Sequence, residues 1–458
     1  MSLPLELTDA LKDLLGNRFS GSAAIIAQHS RDEAHYPPAP PDAVLFPKTT
    51  EEVAAIMKLA TQFRTPVVPW GVGTSLEGHA LAIQGGLTLD MSQMSQIVEL
   101  AQEDQYVRVQ PGVTREQLNE DLRASGLFFP VDPGANATLG GMAATSASGT
   151  TAVRYGTMSD NVMGMTVVLA DGRIIKTGRR SKKTSSGFDL TRLIVGSEGT
   201  LGVITELTLK LQGQPEAISA AVCEFPNTRS AIDTVIAAVQ TGIPMARIEY
   251  LNEPMVAAIN AVEHMNLPVK PHLFFEFHGS QGAVAEQSEM LGEIAAEMGG
   301  AGFKWSTKAE ERNALWKARH NAYHSAHAMR PGTIGWSTDV CVPISNLAKA
   351  IEDTMADLAR EGIDAPILGH VGDGNYHVLL FMDADDPKGR ETVDRICSAM
   401  NRRALSLGGT ITGEHGIGAG KMKFMAEEHG EAWAVMADIK RTLDPLNILN
   451  PGKVVQIN

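Results

Sequence analysis

The sequence predicts a protein of two or three domains that combines α-helices with β-sheet. Its 458 residues are enough for two or three domains of ordinary size. Two β-rich runs flank an Asp-Gly pair within residues 367–381, which is the pattern of a β-hairpin. Apolar residues at helical spacing within residues 49–65, after a Thr49 or Thr50 N-cap, predict a surface helix packed on a sheet.

The elements of the first half follow in order. Residues 7–15 have helical spacing, and the prolines of YPPAPPDAVLFP exclude a helix in the next connector. After the helix within residues 49–65, a short strand leads into a glycine-rich loop, and VRVQ and MTVVLADGRIIKTG are further β-like runs. A strand is expected at RLIV, and a clearly alternating strand follows Gly202.

The second half begins with QPEAISAAVCEF, where a proline followed by a new strand suits a domain boundary. A helix with a packed apolar face is expected to run to residue 328, and Pro331 ends it. The hairpin at residues 367–381 comes next, before a second glycine-rich stretch that includes Glu414.

Composition and charge narrow the class of protein. The chain is 43% hydrophobic and 20% charged, which is typical of a globular protein. Its net charge of −14 argues against a nucleic-acid partner, because neutralising phosphates requires a basic surface. The cysteines, which are far apart and form no CxxC pair, are predicted to be reduced and without metal: Cys223, Cys341 and Cys397.

The sequence predicts no transmembrane segment and no targeting signal. No apolar run approaches the length that crosses a bilayer, and the acidic amphipathic start lacks the basic region of a signal peptide. The expected location is therefore the cytoplasm, with peripheral docking at the inner face of a membrane left open.

The hairpin contains a candidate metal site. If Asp373 and Gly374 form a two-residue type I′ turn, His370 and His377 lie directly opposite each other, with Cβ atoms about 5 Å apart. Two histidines so placed can share one divalent ion, and Glu414 is the best candidate for a third ligand. The alternative is a pair of packed or solvated histidines, and sequence spacing alone does not bring Glu414 to the hairpin.

Three stretches rich in small residues predict a binding site for an extended cofactor. TPVVPWGVGTSLEGHA offers backbone N–H groups and hydroxyls that suit a phosphate or pyrophosphate, although an ordinary turn is the alternative. Residues 130–156 are too rich in Gly, Ala, Ser and Thr to be a core helix and too long for a simple turn. Residues 196–202 form the third stretch.

Six motifs in a fixed order carry a family resemblance. They are PWGVGTSLEG, PGANATLGGMAAT, VGSEGTLGVIT, GHVGDGNYH, GEHGIGAGK and DPLNILNPGKVV. This order resembles the flavoproteins of the vanillyl-alcohol-oxidase type, from about Pro38 to Val455. Within them, the chain is similar to the branch of D-2-hydroxy-acid dehydrogenases that includes cytochrome-linked D-lactate dehydrogenase.

The resemblance implies an α+β fold and a domain order. A two-subdomain, PCMH-type FAD-binding domain is expected at residues 1–211 and an antiparallel-sheet cap domain at 212–413. Residues 414–458 are expected to return to the FAD domain.

The resemblance also assigns residues to FAD. They are Pro69, Gly71, Val72, Gly73, Thr74, Ser75, Leu76, Gly78, Pro133, Gly134, Thr138, Gly140, Gly141, Ala144, Ser148, Gly149, Tyr155, Glu198, Gly202, Val203, Ile204 and Asn450. Relatives that bind FAD covalently often carry a histidine at the end of the pyrophosphate loop, where this chain has Thr74 and Ser75. Non-covalent FAD is therefore expected.

The implied reaction is oxidation of a small 2-hydroxy acid by hydride transfer to the flavin. Zinc or manganese on His370, His377 and Glu414 is expected to bind the substrate and lower the pKa of its hydroxyl. His415 is the expected base, and Arg319 is the expected partner of the substrate carboxylate. Electrons then pass to a separate acceptor such as cytochrome c, a quinone or an electron-transfer flavoprotein.

Positions at which this sequence differs from hydroxyglutarate-oxidising relatives indicate the class of substrate. Hydroxyglutarate-oxidising relatives carry an Asn and a Lys for a second carboxylate, where this chain has Leu379 and either Ser337 or Thr338. A buried carboxylate without a partner costs several kcal/mol, so one carboxylate, as in D-lactate, is favoured. The alternatives are a D-2-hydroxyglutarate or glycolate dehydrogenase, an alkyl-dihydroxyacetonephosphate synthase-like transferase and a zinc hydrolase. A homodimer is compatible with the sequence.

Overall fold

The computed structural model describes residues 3–383 and 385–457, which form two compact units. Unit 1 comprises the described residues of Met1–Ser148, Gly156–Gln214 and Glu414–Asn458. Unit 2 comprises those of Gly149–Tyr155 and Pro215–Gly413. Both units pack helices against sheets that are largely antiparallel, which confirms the expected α+β class.

The helices and strands have the following bounds. The helices are α1 Leu5–Leu15, α2 Ala23–Gln28, α3 Thr50–Phe63, α4 Arg115–Leu122, α5 Leu139–Ala144, α6 Ala152–Tyr155, α7 Met158–Asn161, α8 Leu190–Ile194, α9 Thr228–Gln240, α10 Glu253–Glu263, α11 Gln281–Glu297, α12 Ala309–His320, α13 Ala322–Ala328, α14 Ile344–Arg360, α15 Pro387–Ser406, α16 Met425–His429 and α17 Glu431–Leu443. The strands are β1 Phe19–Ser20, β2 Ala43–Leu45, β3 Val67–Trp70, β4 Leu87–Asp90, β5 Ile97–Ala101, β6 Tyr106–Val109, β7 Leu127–Phe128, β8 Val162–Val168, β9 Ile174–Gly178, β10 Val203–Lys210, β11 Gln212–Gly213, β12 Ala217–Glu224, β13 Met245–Leu251, β14 His272–Gly279, β15 Ala301–Ser306, β16 Thr333–Ser337, β17 Val340–Cys341, β18 Ile367–His370 and β19 Asn375–Asp383.

Unit 1 contains two principal sheets. The first has the order β1-β2-β4-β3, and β4 runs parallel to both β2 and β3. The second is antiparallel with the order β5-β6-β10-β8-β9, and β7 pairs separately with β11. The alternation expected for β10 is observed from Thr205 to Lys210, whereas Val203, Ile204 and Thr205 are all buried.

Helix α3 forms where its sequence predicts. The Thr49 hydroxyl accepts the N–H of Glu52 at 3.2 Å, which satisfies one of the unpaired N–H groups of the first turn. Its apolar face is fully buried against α1 and the first sheet through Val53, Ile56, Met57 and Ala60. The amphipathic spacing thus identified both the helix and its buried face.

Unit 2 is built on one eight-stranded antiparallel sheet. The order is β15-β12-β14-β13-β18-β19-β16, and β17 also pairs with β19. Helices α9, α11, α14 and α15 contribute to the apolar core on one face, and α10, α12 and α13 to the core on the other. The single helix expected up to residue 328 is divided at Asn321 into α12 and α13.

The predicted two-residue turn is wrong. Leu368 lies opposite His377, so the register is shifted by two residues and four residues connect the strands. Gly374 has φ +81°, but Asp373 has no positive φ, and a type I′ turn needs both. The N–H of Val342 donates to the carbonyl of Gly374 at 3.0 Å, so the neighbouring strand segment fixes this end of the hairpin.

Two other local predictions also fail. Residues 139–144, within the stretch judged too rich in small residues for a core helix, form α5, which buries Leu139, Met142 and Ala143. RLIV was expected to be a strand, but α8 extends from Leu190 to Ile194, after the Asp189 carboxylate accepts the N–H of Arg192. Capping and close packing therefore overrode the local β preference.

None of the described helices combines the length and apolar character that crossing a bilayer requires.

Candidate cofactor and metal sites

Three segments expected to bind the cofactor meet within unit 1. Gly71, in the loop after β3, faces Thr138 so closely that a Cβ there would overlap the threonine hydroxyl. A Cβ at Gly199 would lie 3.1 Å from Cγ of Pro69. Because these positions lack side chains, the backbone of the first segment lies close to both of the others.

Asn450 connects the C-terminal return to the same place. Its side-chain amide donates to the carbonyl oxygens of His79, at 3.0 Å, and Glu198, at 2.7 Å. Its backbone N–H donates to the carbonyl of Val67 at 2.8 Å. These hydrogen bonds attach the C-terminal segment to other parts of unit 1.

The loop at residues 71–76 is suited to an anion. Within the described chain, none of its backbone N–H groups donates a hydrogen bond to another residue. Gly73 has φ +75°, a conformation that lets successive N–H groups converge. A pyrophosphate, such as that of FAD, would satisfy these donors, so the residues present fit this part of the cofactor.

The side chain of Glu198 holds the loop that follows His415. Its carboxylate accepts the N–H groups of Ile417 at 2.7 Å and Gly418 at 2.8 Å, and it lies 3.3 Å from Nε2 of His79. Burial by itself would raise the pKa of Glu198, but His79 and the two N–H donors outweigh it and keep the pKa below its ordinary value. Glu198 therefore remains a carboxylate that fixes this loop.

The expected third ligand and the expected base are neighbours in unit 1. The hydroxyl of Ser148 donates to Oε2 of Glu414 at 2.9 Å. Nε2 of His415 lies 3.9 Å from Oε1 of Glu414, which is too long for a hydrogen bond. Ser148, which was expected to contact FAD, thus orients the carboxylate expected to bind the metal.

The two histidines of the hairpin lie together in unit 2. Their ring centroids are 5.6 Å apart, and a nitrogen of one ring lies within 4.8 Å of a nitrogen of the other. Nδ1 of His370 is bonded to Glu249 at 2.7 Å, and Nδ1 of His377 to the carbonyl of Thr338 at 2.8 Å. Because each Nδ1–H donates to an oxygen, the lone pair that a metal ion requires lies on Nε2 in the neutral form of each imidazole.

Arg319 shares the same glutamate. Its Nε and Nη2 both donate to Oε2 of Glu249, at 2.9 and 2.6 Å. A guanidinium has five N–H donors, so the edge formed by Nη1 and Nη2 keeps donors for a second carboxylate. The buried Glu249 thus occupies one side of the group that was expected to bind the substrate.

Asp339 fixes the chain immediately before Glu414. Its Oδ2 accepts the N–H of Gly413 at 2.9 Å and the hydroxyl of Thr412 at 2.6 Å. Its Oδ1 accepts the amide of Asn375 at 2.7 Å, at the start of β19. The end of unit 2 is therefore attached to the strand that contains His377.

Comparison with known proteins identifies the family. A model described as "FAD linked oxidases, C-terminal domain" matches residues 214–454, and one described as "FAD binding domain" matches residues 41–178. The first covers more than half of the chain. The chain belongs to the FAD-linked oxidases.

Curated relatives align with this FAD-linked oxidase over most of its length. A protein of Danio rerio named probable D-lactate dehydrogenase, mitochondrial, is 50% identical over 96% of the chain and 89% of its own length. Mitochondrial D-lactate dehydrogenase (cytochrome) of Arabidopsis thaliana is 43% identical, covering 99% and 80%. Glycolate oxidase subunit GlcD of Bacillus subtilis is 36% identical, covering 90% and 89%.

Solved structures with low identity share the fold. p-Cresol methylhydroxylase matches with a TM-score of 0.81 at 18% identity, over 98% of this chain and 96% of that one. Alkyldihydroxyacetonephosphate synthase matches with a TM-score of 0.78 at 18% identity, over 98% and 86%. The expected PCMH-type fold is confirmed.

Two residues expected to bind FAD belong to unit 2 of this oxidase. Gly149 and Tyr155 bound the short segment that contains α6. The hydroxyl of Tyr155 is bonded to Nδ1 of His278 at 2.7 Å, and Nε2 of that histidine to Glu276 at 2.8 Å. The side chain of Tyr155 is therefore hydrogen-bonded to the buried pair His278 and Glu276 of β14.

Sequence reasoning missed Glu249 and Asp339, although both are buried. Glu249 is bonded to the predicted residues His370 and Arg319, and Asp339 to Gly413, which precedes Glu414. One signal was present: Arg247 and Glu249 alternate within the otherwise apolar strand sequence MARIEYL. Charges on the buried face of a strand need partners, so they mark a polar cluster. Asp339 stands alone in STDVCVPIS and gave no such signal.

Proposed function

We propose that this FAD-linked oxidase oxidises D-lactate, or a similar D-2-hydroxy acid with one carboxylate, to the 2-oxo acid. The observation that carries the proposal is its identity to proteins named D-lactate dehydrogenases, 50% and 43% over nearly the whole chain. The arginine, the histidine pair and the anion-binding loop supply chemistry that such a reaction needs.

FAD, when bound, supplies the hydride acceptor. Residues 71–76 are proposed to hold its pyrophosphate through their backbone N–H groups. Thr138 lies beside Gly71, and Asn450 donates to the carbonyl of His79, which follows that loop. We propose that FAD is not covalently attached. Acid precipitation should then release the yellow cofactor, whereas colour retained on the polypeptide would contradict this.

A zinc or manganese ion on His370, His377 and Glu414, when bound, supplies a Lewis acid that lowers the pKa of the substrate hydroxyl. The two histidines fit this role because each is bonded through Nδ1. Glu414 follows Gly413, whose N–H is held by Asp339, and consecutive Cα atoms are about 3.8 Å apart. This attachment supports Glu414 as the third ligand.

Side chains of the protein bind the substrate and accept its proton. Arg319 uses the donors that Glu249 leaves available to bind and orient the substrate carboxylate. His415 accepts the hydroxyl proton as C2 gives up a hydride, so the alcohol becomes a ketone. Glu198 holds the loop that follows His415 and so limits the movement of this base.

Leu379 favours a substrate with one carboxylate. It is two residues beyond His377 on β19, 2% exposed, and belongs to an apolar cluster with Leu368 and Phe274. Ser337 lies opposite Leu379 on β16, and neither side chain supplies a positive charge. A second carboxylate there would remain unpaired, which disfavours D-2-hydroxyglutarate.

The electrons require a separate acceptor. The relatives from Arabidopsis thaliana and Saccharomyces cerevisiae are named for a cytochrome, so we propose a cytochrome-type acceptor. A quinone or an electron-transfer flavoprotein is the alternative. The cytoplasmic location and the homodimer stay predictions.

Anaerobic absorbance in the flavin bands tests the proposal. D-lactate should bleach the bound FAD, L-lactate and D-2-hydroxyglutarate should act far more slowly, and a chelator should suppress the reaction. Bleaching by D-2-hydroxyglutarate instead would contradict the role given to Leu379. If D-lactate still bleaches the flavin after verified removal of the metal, the proposed role of the metal as a Lewis acid is contradicted.

Glycolate is the second candidate substrate. The glycolate oxidase subunit of Bacillus subtilis is 36% identical over 90% of this chain, and glycolate also has one carboxylate. Faster bleaching by glycolate than by D-lactate would identify glycolate as the preferred substrate. Absence of bleaching by any hydroxy acid would favour a transferase without net redox chemistry.

A further inference from the structure

We propose that Glu249 is a positioning residue that sets both the imidazole of His370 and the guanidinium of Arg319. The inference rests on the proposed function, because it gives these two groups their roles as metal ligand and substrate anchor. It adds a residue that contacts neither metal nor substrate but fixes the groups that do.

The geometry of the strands brings Glu249 to this position. Glu249 on β13 lies directly opposite His370 on β18 in the antiparallel register. Its Oε1 is 2.7 Å from Nδ1 of His370, while its Oε2 accepts both Nε and Nη2 of Arg319. One carboxylate therefore contacts two functional groups through different oxygens.

The bond to His370 selects its tautomer. An ionised carboxylate only accepts hydrogen bonds, so the neutral imidazole of His370 has its proton on Nδ1 and its lone pair on Nε2. A carboxylate behind a histidine ligand also fixes the plane of the ring, and removing it typically lowers metal affinity about 10- to 100-fold. Glu249 thus prepares His370 to bind a metal ion through Nε2.

The hydrogen bonds to Arg319 pair the negative charge of Glu249 with a positive charge. The side chain of Glu249 is 0% exposed and that of Arg319 is 8% exposed, so neither charge is solvated by water to any extent. Each ion compensates the other, and the fork of Arg319 is held in one orientation. Because the same carboxylate also holds His370, substrate anchor and metal ligand are fixed relative to each other.

The variant Glu249→Gln tests this role. The amide oxygen should turn to the charged Arg319, so the amide N–H would face His370 and force its Nδ1 to accept. Nε2 would then carry the proton. We expect zinc affinity to fall about 10- to 100-fold in a chelator competition, which requires no turnover.

Kinetics provide a second readout. At saturating zinc, KM for D-lactate should rise about tenfold while kcat changes little, because a less well-oriented Arg319 binds ground state and transition state equally poorly. A merely structural role would lower the thermal midpoint without this split between KM and kcat.

Glu276→Gln is the matched control. Glu276 lies on the neighbouring strand β14, is 4% exposed, and has the same kinds of partner in His278 and Arg247. It should lose comparable stability yet keep the zinc affinity and KM of the wild type. An equal loss of zinc affinity in both variants would overturn the specific role of Glu249.

The outcomes separate this inference from the proposed function. A wild-type protein that binds no zinc or manganese contradicts the metal site itself. Wild-type protein that binds zinc, together with a folded Glu249→Gln variant of unchanged affinity and KM, overturns only the role of Glu249. If Glu249→Gln fails to fold, Glu249→Met combined with Arg319→Met removes both charges and should still weaken zinc binding; unchanged affinity would overturn the inference.

Discussion

Glu198 accepts the N–H groups of Ile417 and Gly418, and Glu249 accepts donors from Arg319 and His370. A carboxylate has two oxygens and accepts several hydrogen bonds, so one side chain can fix two separate groups. Removing it leaves those donors buried and unpaired, which costs more than the bond itself contributes. At the scale of single residues, these two acids define where the proposed catalytic groups lie.

Replacing the proposed base tests its role directly. His415→Ala should bind FAD as the wild type does but reduce it about 10²- to 10⁴-fold more slowly with D-lactate, because no base accepts the hydroxyl proton. Stopped-flow absorbance measures this rate. His429→Ala, which changes a partly exposed histidine of α16, is the control. Near-wild-type reduction by His415→Ala would remove this residue from the mechanism.

Glu198 predicts a dependence of stability on pH. Its folded pKa is below the ordinary value of 4.5, so its contribution is complete above pH 4.5 and is lost as the pH falls through the folded pKa. Glu198→Gln should therefore be less stable than the wild type by about 1–3 kcal/mol near pH 6. Thermal unfolding from about pH 6 to pH 3.5 should show the two proteins converging. A constant difference would contradict the assignment.

At the scale of elements, the hairpin of β18 and β19 shows that a shift in strand register need not change the face of the sheet on which a side chain lies. The register is shifted by two residues from the prediction, yet His370 and His377 remain on one face because side chains alternate with a period of two. A shift of one residue would have separated them. The predicted pair of histidines is therefore observed, although the predicted turn is wrong.

Gly374 tests the importance of this connection. A Cβ there would overlap the carbonyl oxygen of Val342, and the φ of +81° already disfavours L-residues. Gly374→Ala should lower the free energy of unfolding by more than about 2 kcal/mol and weaken zinc binding. Gly362→Ala is the control, because it has φ +68° but nothing within 4 Å of the added Cβ. Equal losses in the two variants, measured by chemical denaturation, would refute the packing argument.

At the scale of the whole molecule, the chain leaves unit 1 for unit 2 twice and returns each time. The returning segment donates from Asn450 to Val67, and Lys453 donates to the carbonyl of Leu81 and to Asn450 at 2.5 Å each. Lys453 is 1% exposed, and burial lowers its pKa to about 7, against the attraction of Glu198 and Asp32. Residues 450–453 are therefore packed into unit 1.

Deleting residues 450–458 should release FAD. Asn450 holds the first and third small-residue segments together, so its loss should weaken FAD affinity by more than about tenfold. Flavin absorbance after gel filtration measures retention. Deleting only residues 456–458, which lie beyond these contacts, is the control. Full retention of FAD by the longer deletion would show that the tail is dispensable.

The sequence by itself determined the fold class, the order of the cofactor segments, helix α3 and the candidate residues. These features depend on local periodicity, the positions of glycines and the order of motifs, all of which can be read directly from the sequence. Tertiary structure decided the turn of the hairpin, the helix at residues 139–144 and the two anchoring acids Glu249 and Asp339. The partners of these two acids lie on other parts of the chain, 121 residues away in the case of Glu249 and His370. Only the folded sheet brings such groups within hydrogen-bond distance, so no local pattern could reveal them.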